Sequence, residues 1–144
     1  MHVSDILKAK GNKVATIRPD ASIRSAAQRL KIEGVGALVV SEDGTSVVGI
    51  LSERDISHGL AEHGGAVAEH TVSDLMTRGV IHCVAQDGIA QIAKVMTQRR
   101  IRHLPVMEGQ TLIGIVSIGD VVRHRLDELE LEANVLRDYA TVRH

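Results

Sequence analysis

At two points in the chain a serine stands three residues ahead of an aspartate, directly after a short apolar run: Ser52 with Asp55, and Ser117 with Asp120. An ionised carboxylate so placed accepts hydrogen bonds from neighbouring hydroxyl groups, and a serine at a helix start turns its hydroxyl and the free first-turn N–H groups towards an anion. The same spacing describes a capping box, in which serine and acid satisfy only backbone donors. Spacing alone leaves both readings open, because repeated units share caps as readily as they share ligand contacts.

Other chemistries find less support. The eight histidines invite a metal reading, above all His58, His63 and His70, yet their spacing fits no compact ligand motif. They read as a polar connector, and no metal site is expected. Cys83 is the single cysteine, so no intrachain disulfide forms, and nothing in the sequence pairs the thiol with a base. It reads as a small buried hydrophobe. His82 or His103 would be the base of a small enzyme, but no nucleophile or metal accompanies them. No catalytic residue is assigned, and the chain is expected not to be an enzyme.

The 144 residues, 44% of them hydrophobic, suffice for one compact unit. A net charge of -1 lacks the basic footprint of a nucleic-acid binder, so no nucleic-acid partner is expected. Phe and Trp are absent and Tyr139 is the only aromatic. Any purine would therefore lie between aliphatic side chains and peptide planes rather than on a ring. Met1 to Asp5 carry no charged-then-apolar leader, and no apolar run reaches the roughly 20 residues that span a bilayer. A cytoplasmic protein with no membrane partner is the expectation.

The elements that position the serines and aspartates occur twice. Ile23, Ala26, Ala27 and Leu30 form the stripe of a helix buried on one face, with Ser22 as its N-cap and Gly34 as its stop. Sixty-six residues on, Ile89, Ile92, Ala93 and Met96 repeat the stripe. The strand Gly36 to Val40 corresponds to Arg102 to Val106, and Val47 to Ser52 corresponds to Leu112 to Ser117, each second strand with a central glycine. Val3 to Leu7 matches Val72 to Met76. An α/β (α+β) fold of two β-α-β-β-α units follows, residues 1–66 and 67–144, joined near Gly64-Gly65 in the polar stretch from His58 to His70. Units this small are expected to pack together and share a core.

Gly49-Ile50-Leu51-Ser52-Glu53-Arg54-Asp55, Gly114-Ile115-Val116-Ser117-Ile118-Gly119-Asp120 and Ile101-Arg102-His103-Leu104-Pro105-Val106 resemble the cystathionine β-synthase (CBS) domain pair, a Bateman module. The resemblance covers almost the whole chain. It implies pseudo-twofold symmetry and two clefts that take adenosyl ligands such as AMP, ATP, S-adenosylmethionine or NAD. In each, the aspartate of one repeat would hold the ribose hydroxyls and the first strand of the other repeat would contact adenine. For the first cleft it implies Ser52, Arg54 and Asp55 with Val80, Ile81, His82, Arg102, His103, Leu104 and Pro105. For the second it implies Ser117 and Asp120 with Lys13, Val14, Ala15, Thr16, Gly36, Ala37 and Leu38.

Arg54 and Arg102 would face phosphate, which the planar guanidinium fork grips bidentately; either is equally readable as a solvated surface charge. Ile118-Gly119 and Gly36-Ala37 replace these basic residues in the second cleft, so its phosphate grip is expected to be weaker. AMP (or ATP/ADP) is expected in one cleft, and NAD(H) or a second AMP in the other. The expected function is adenine-nucleotide sensing that modulates a partner protein; the alternative is a structural interaction module without a ligand. From Val121 to Ala140, the residues Val122, Leu126, Leu129, Ala133, Leu136 and Ala140 form a heptad-like stripe. A long C-terminal helix is expected, folded on its own core or met by a second chain; because the family commonly dimerises, a homodimer is the expectation.

Overall fold

The computed structural model describes residues 1–142. In chain order its elements are α1 (Val3–Lys10), β1 (Thr16–Ile17), α2 (Ile23–Glu33), β2 (Ala37–Val40), β3 (Gly49–Ser52), α3 (Glu53–His63), a 3-10 helix (Gly64–Glu69), α4 (Val72–Leu75), α5 (Ile89–Arg99), β4 (His103–Glu108), β5 (Thr111–Ser117) and α6 (Ile118–Val142). The repeat sets their order.

Ser22 caps α2 by accepting from the backbone N–H of Ser25, and Gly34 ends the helix in the left-handed region at φ 65. Its stripe is buried through Ile23, Ala26 and Leu30, and that of α5 through Ile89, Ile92 and Met96. At the end of α5 Arg100 occupies the corresponding left-handed position, with φ 54. No glycine relieves it there.

In the first unit β1 pairs parallel to β2, and β2 antiparallel to β3. In the second, β4 and β5 pair antiparallel, and the expected opening strand shrinks to a single parallel bridge between Cys83 and Val106. The cause is Pro105. In the first unit Val39 donates its N–H to Ala15; Pro105 stands where Val39 does and has no N–H for Ile81, so the ladder cannot extend backwards. Beyond Cys83, the N–H of Val84 goes to the Asp87 carboxylate at 3.0 Å instead of to a strand.

The interior divides into two clusters, and the chain openings cross between them. Val3, Ile6 and Leu7 of α1 pack with Cys83, Ile89, Ile92, Met96, Leu104, Val106, Val116 and Val121. Val67, Val72 and Met76 pack with Ile23, Ala26, Leu30, Leu38, Val40 and Leu51. The core is thus shared by exchange. Gly114 admits Leu7, and its counterpart Gly49 admits Met76. Two corresponding bridges, His2 with Gly88 and Ser22 with Thr71, hold the crossings.

The stretch expected as a polar connector is instead largely helical. Gly59 is buried against Leu75 and Val67, which draws α3 and the following 3-10 helix onto the first core. His63 and His70 stack at its two ends, ring centroids 4.3 Å apart. Among the described residues, no helix is long and apolar enough to cross a membrane.

Candidate functional site

A strand ends at Ser52 and a helix begins at Glu53, so the first turn of α3 offers backbone donors at the seam between the units. Ser52 and Asp55 form the reciprocal cap. The Asp55 N–H donates to Ser52 Oγ at 3.3 Å, and the Ser52 N–H donates to Asp55 Oδ2 at 2.8 Å. This leaves Oδ1, which accepts the hydroxyl of Thr77 at 3.2 Å. Thr77 reaches it because two backbone hydrogen bonds pair it with Ile50 on β3. Capping and an outward-facing oxygen coexist on one carboxylate.

Asp55 lines a hollow of about 220 Å³ with Gly36, Ile50, Ser52, Glu53, Arg54, Thr77, Arg100, Ile101, Arg102 and His103. Three arginines therefore line one hollow formed by both units. The Arg54 Nη1 donates to the Arg100 carbonyl at 3.0 Å, tying the start of α3 to the end of α5.

The second corner repeats the cap and differs in its cation. Ser117 N–H donates to Asp120 Oδ2 at 2.9 Å, and Asp120 N–H to Ser117 Oγ at 3.1 Å. Lys10, the last residue of α1, places its ammonium 2.7 Å from Asp120 Oδ2 and donates to the Ile115 carbonyl at 3.0 Å. Burial pushes the Asp120 carboxyl up, but the Lys10 ammonium and the Ser117 N–H outweigh it and leave the group below its ordinary value. Burial likewise pushes His103 below its ordinary value; Lys10 and Arg102 add to this, while Glu53 and Asp120 oppose it.

Of the residues expected in the first cleft, Ser52, Arg54, Asp55, Arg102 and His103 meet at the hollow. Val80, His82 and Pro105 line another hollow with Val47 and Met107. Ile81 packs against the second core and Leu104 lies inside it. Gly36, expected in the second cleft, lines the first, where it approaches the side chain that opens β4: a Cβ on Gly36 would lie 3.3 Å from the His103 ring. Lys13 sits on the surface 3.7 Å from Glu33, and Thr16 lines a third hollow with Arg18 and Arg29. Val14 and Ala15 are half-buried before β1, and Ala37 and Leu38 are buried in β2. Among the described residues, Asp120 bonds Ser117 and Lys10 and none of these.

Sequence reasoning passed over Thr77, Arg100, Glu53 and Lys10. Thr77 directly follows one matched opening segment, Lys10 lies three residues after the other, and Arg100 stands where the first unit has Gly34. Departures from the repeat were the signal. Cys83 is buried, and burial pushes its thiol up to about 12. Among the described residues, no three His, Cys, Asp or Glu side chains group as a metal site.

The CBS domain family model matches twice, over residues 3–62 and 72–127. The chain belongs to the CBS domain family. A curated relative, the mitochondrial CBS domain-containing protein CBSX3 of Arabidopsis thaliana, is 32% identical over 145 residues, covering 95% of this chain and 70% of its own length. A CBS-domain containing protein from Agrobacterium tumefaciens, solved by crystallography, superposes with a TM-score of 0.83 at 42% identity, over 86% of this chain and 92% of that one. The CBS domain pair of protein MJ0100, crystallised with 5′-methylthioadenosine and S-adenosyl-L-methionine, superposes with a TM-score of 0.78 at 26% identity, over 89% of this chain and 98% of that one.

Proposed function

We propose that this CBS domain pair is a regulatory module that binds an adenine nucleotide, AMP foremost, in the hollow at Asp55, and thereby modulates a partner protein. The observation that carries the reading is the free side of the Asp55 carboxylate. Among the described residues its Oδ1 meets only the Thr77 hydroxyl, a neutral donor that ribose hydroxyls replace in kind. Arg54, Arg100 and Arg102 edge the same hollow and suit a phosphate. Glycine and strand backbone supply the flat walls that the ring-poor composition requires. The adenosyl ligands of the MJ0100 pair support the same ligand class.

Because the hollow is walled by both units, a ligand favours the packing of the units that fits it and shifts their balance, which is what a partner would read. Calorimetric titration of nucleotide-free protein with AMP tests the proposal. Saturable binding that collapses in Asp55→Ala is the expected result. Unchanged affinity in Asp55→Ala removes the site, and no binding by any adenine nucleotide leaves the interaction module without a ligand.

A homodimer is part of this proposal. Val122, Leu126, Leu129 and Leu136 are all more than 40% exposed along α6, so the expected stripe is not folded on its own core. A second copy burying this stripe removes a long apolar surface from water. Light scattering should give twice the chain mass, and Leu129→Glu with Leu136→Glu should halve it; a wild-type monomer rejects the dimer.

A further inference from the structure

We propose that α6 pairs with α6 of a second copy of this chain as a parallel, in-register coiled coil whose direction is set by the charges beside its apolar stripe. The inference rests on the homodimer reading, to which it adds the orientation and the residues that choose it, and it is independent of the hollow at Asp55.

The stripe steps by four and three residues, which makes Leu126, Ala133 and Ala140 the a positions of a heptad and Val122, Leu129 and Leu136 the d positions. Val121 is buried and His124, Arg125 and Glu128 are half-buried, so the face of α6 that meets its own body lies beside the stripe and not under it. From Leu129 to Thr141 every residue is exposed. Its own chain therefore leaves this half of the helix without the packing that usually stabilises one.

Charge then decides direction. The e positions are Arg123, Glu130 and Arg137, and the g positions include Arg125 and Glu132. In a parallel pair a g residue of one helix meets the e residue five places further on in the other. Arg125 then faces Glu130 and Glu132 faces Arg137, opposite charges at both, and twofold symmetry makes each contact twice. Arg125 also meets Glu128 of its own helix at 3.2 Å, so the contact of Glu132 with Arg137 carries more of the choice. With the helices antiparallel and the stripes matched, Glu130 meets its own copy, Glu132 meets its own copy, and Arg123 meets Arg137. All three contacts repel, which disfavours that arrangement.

Disulfide cross-linking and light scattering of the full chain decide it. Ala140→Cys should give a disulfide-linked dimer under mild oxidation, because equal positions at the far end of the stripe face each other only in the parallel pair. The native Cys83 is buried and does not compete. Mixed chains carrying Val122→Cys and Ala140→Cys should form no mixed disulfide, by mass spectrometry. Arg137→Glu should weaken the dimer about tenfold, and adding Glu132→Arg should bring it back within about threefold of wild type. In an antiparallel pair Arg137→Glu would instead tighten it, by relieving the repulsion with Arg123. Leu131→Glu with Val135→Glu, on the side of α6 away from the stripe, should leave the dimer intact. A dimer that does not link at Ala140→Cys, that links position 122 to 140, that tightens with Arg137→Glu, or that dissociates with Leu131→Glu and Val135→Glu overturns the parallel seam and leaves the homodimer standing. A wild-type monomer overturns both.

Discussion

Leu7 lies so close over Gly114 that a Cβ on the glycine would fall 2.6 Å from Leu7 Cδ2. The contact joins the first helix of the chain to the last strand, so Gly114→Ala acts on the crossing of the two units. A loss of about 1–3 kcal/mol is expected, the usual cost of overpacking. Leu7→Ala alone should also destabilise, and the double variant should lose less than the sum of the two. Denaturant melts of the four proteins measure this; additive losses would mean that the two residues do not meet.

Arg54 and Arg102 should matter for AMP and not for adenosine, if they meet phosphate. Alanine at either position should weaken AMP about tenfold, the size of one charge-assisted hydrogen bond, and leave adenosine affinity unchanged. Parallel titrations with both ligands separate this from general damage to the hollow, which would weaken the two alike.

Arg100 holds a left-handed φ of 54 at the edge of the hollow, in the position where the first unit uses Gly34. Arg100→Gly should stabilise the fold by about 1 kcal/mol and weaken AMP about tenfold. A rise in Tm together with a loss of affinity is the expected signature. Such opposition is common where backbone strain serves a site.

His103 gives the fold a pH dependence with a definite sign. Its folded-state pKa is lowered from 6.5, first by burial, so the unfolded chain takes up a proton before the folded one does. The stability linked to this group is full above about 6.5 and is lost as pH falls from there towards the folded value. Between pH 7.5 and 5.5 the Tm of wild type should fall further than that of His103→Asn. Equal falls would assign the dependence to the other histidines.

Much of this was legible from one chain, because the molecule writes its pattern twice. Both buried helix stripes, both glycine-centred strands and both Ser-x-x-Asp corners sit where sixty-five- and sixty-six-residue correspondences place them. Less legible was whatever depends on partners distant in sequence. Pro105 is visible, but that it removes the bond Val39 gives Ala15 emerges only once the ladders are compared. The repeat placed each opening segment in its own unit, whereas α1 packs with the second core, since a matched segment names a recurring element and not the surface that buries it.

At the site, the capping and ligand readings of Ser-x-x-Asp were posed as rivals, and the two oxygens of Asp55 show that one carboxylate serves a cap while turning its other side outward. Lys10 went unnoticed because its partner lies 110 residues away. Nothing local marks such a pair.

The crossing of the chain openings has one more consequence. A cut between Gly64 and Gly65 would leave two fragments, each carrying a helix that completes the interior of the other. Such halves are fitted to reassemble from separate polypeptides, and the peptide bond between them supplies proximity more than architecture.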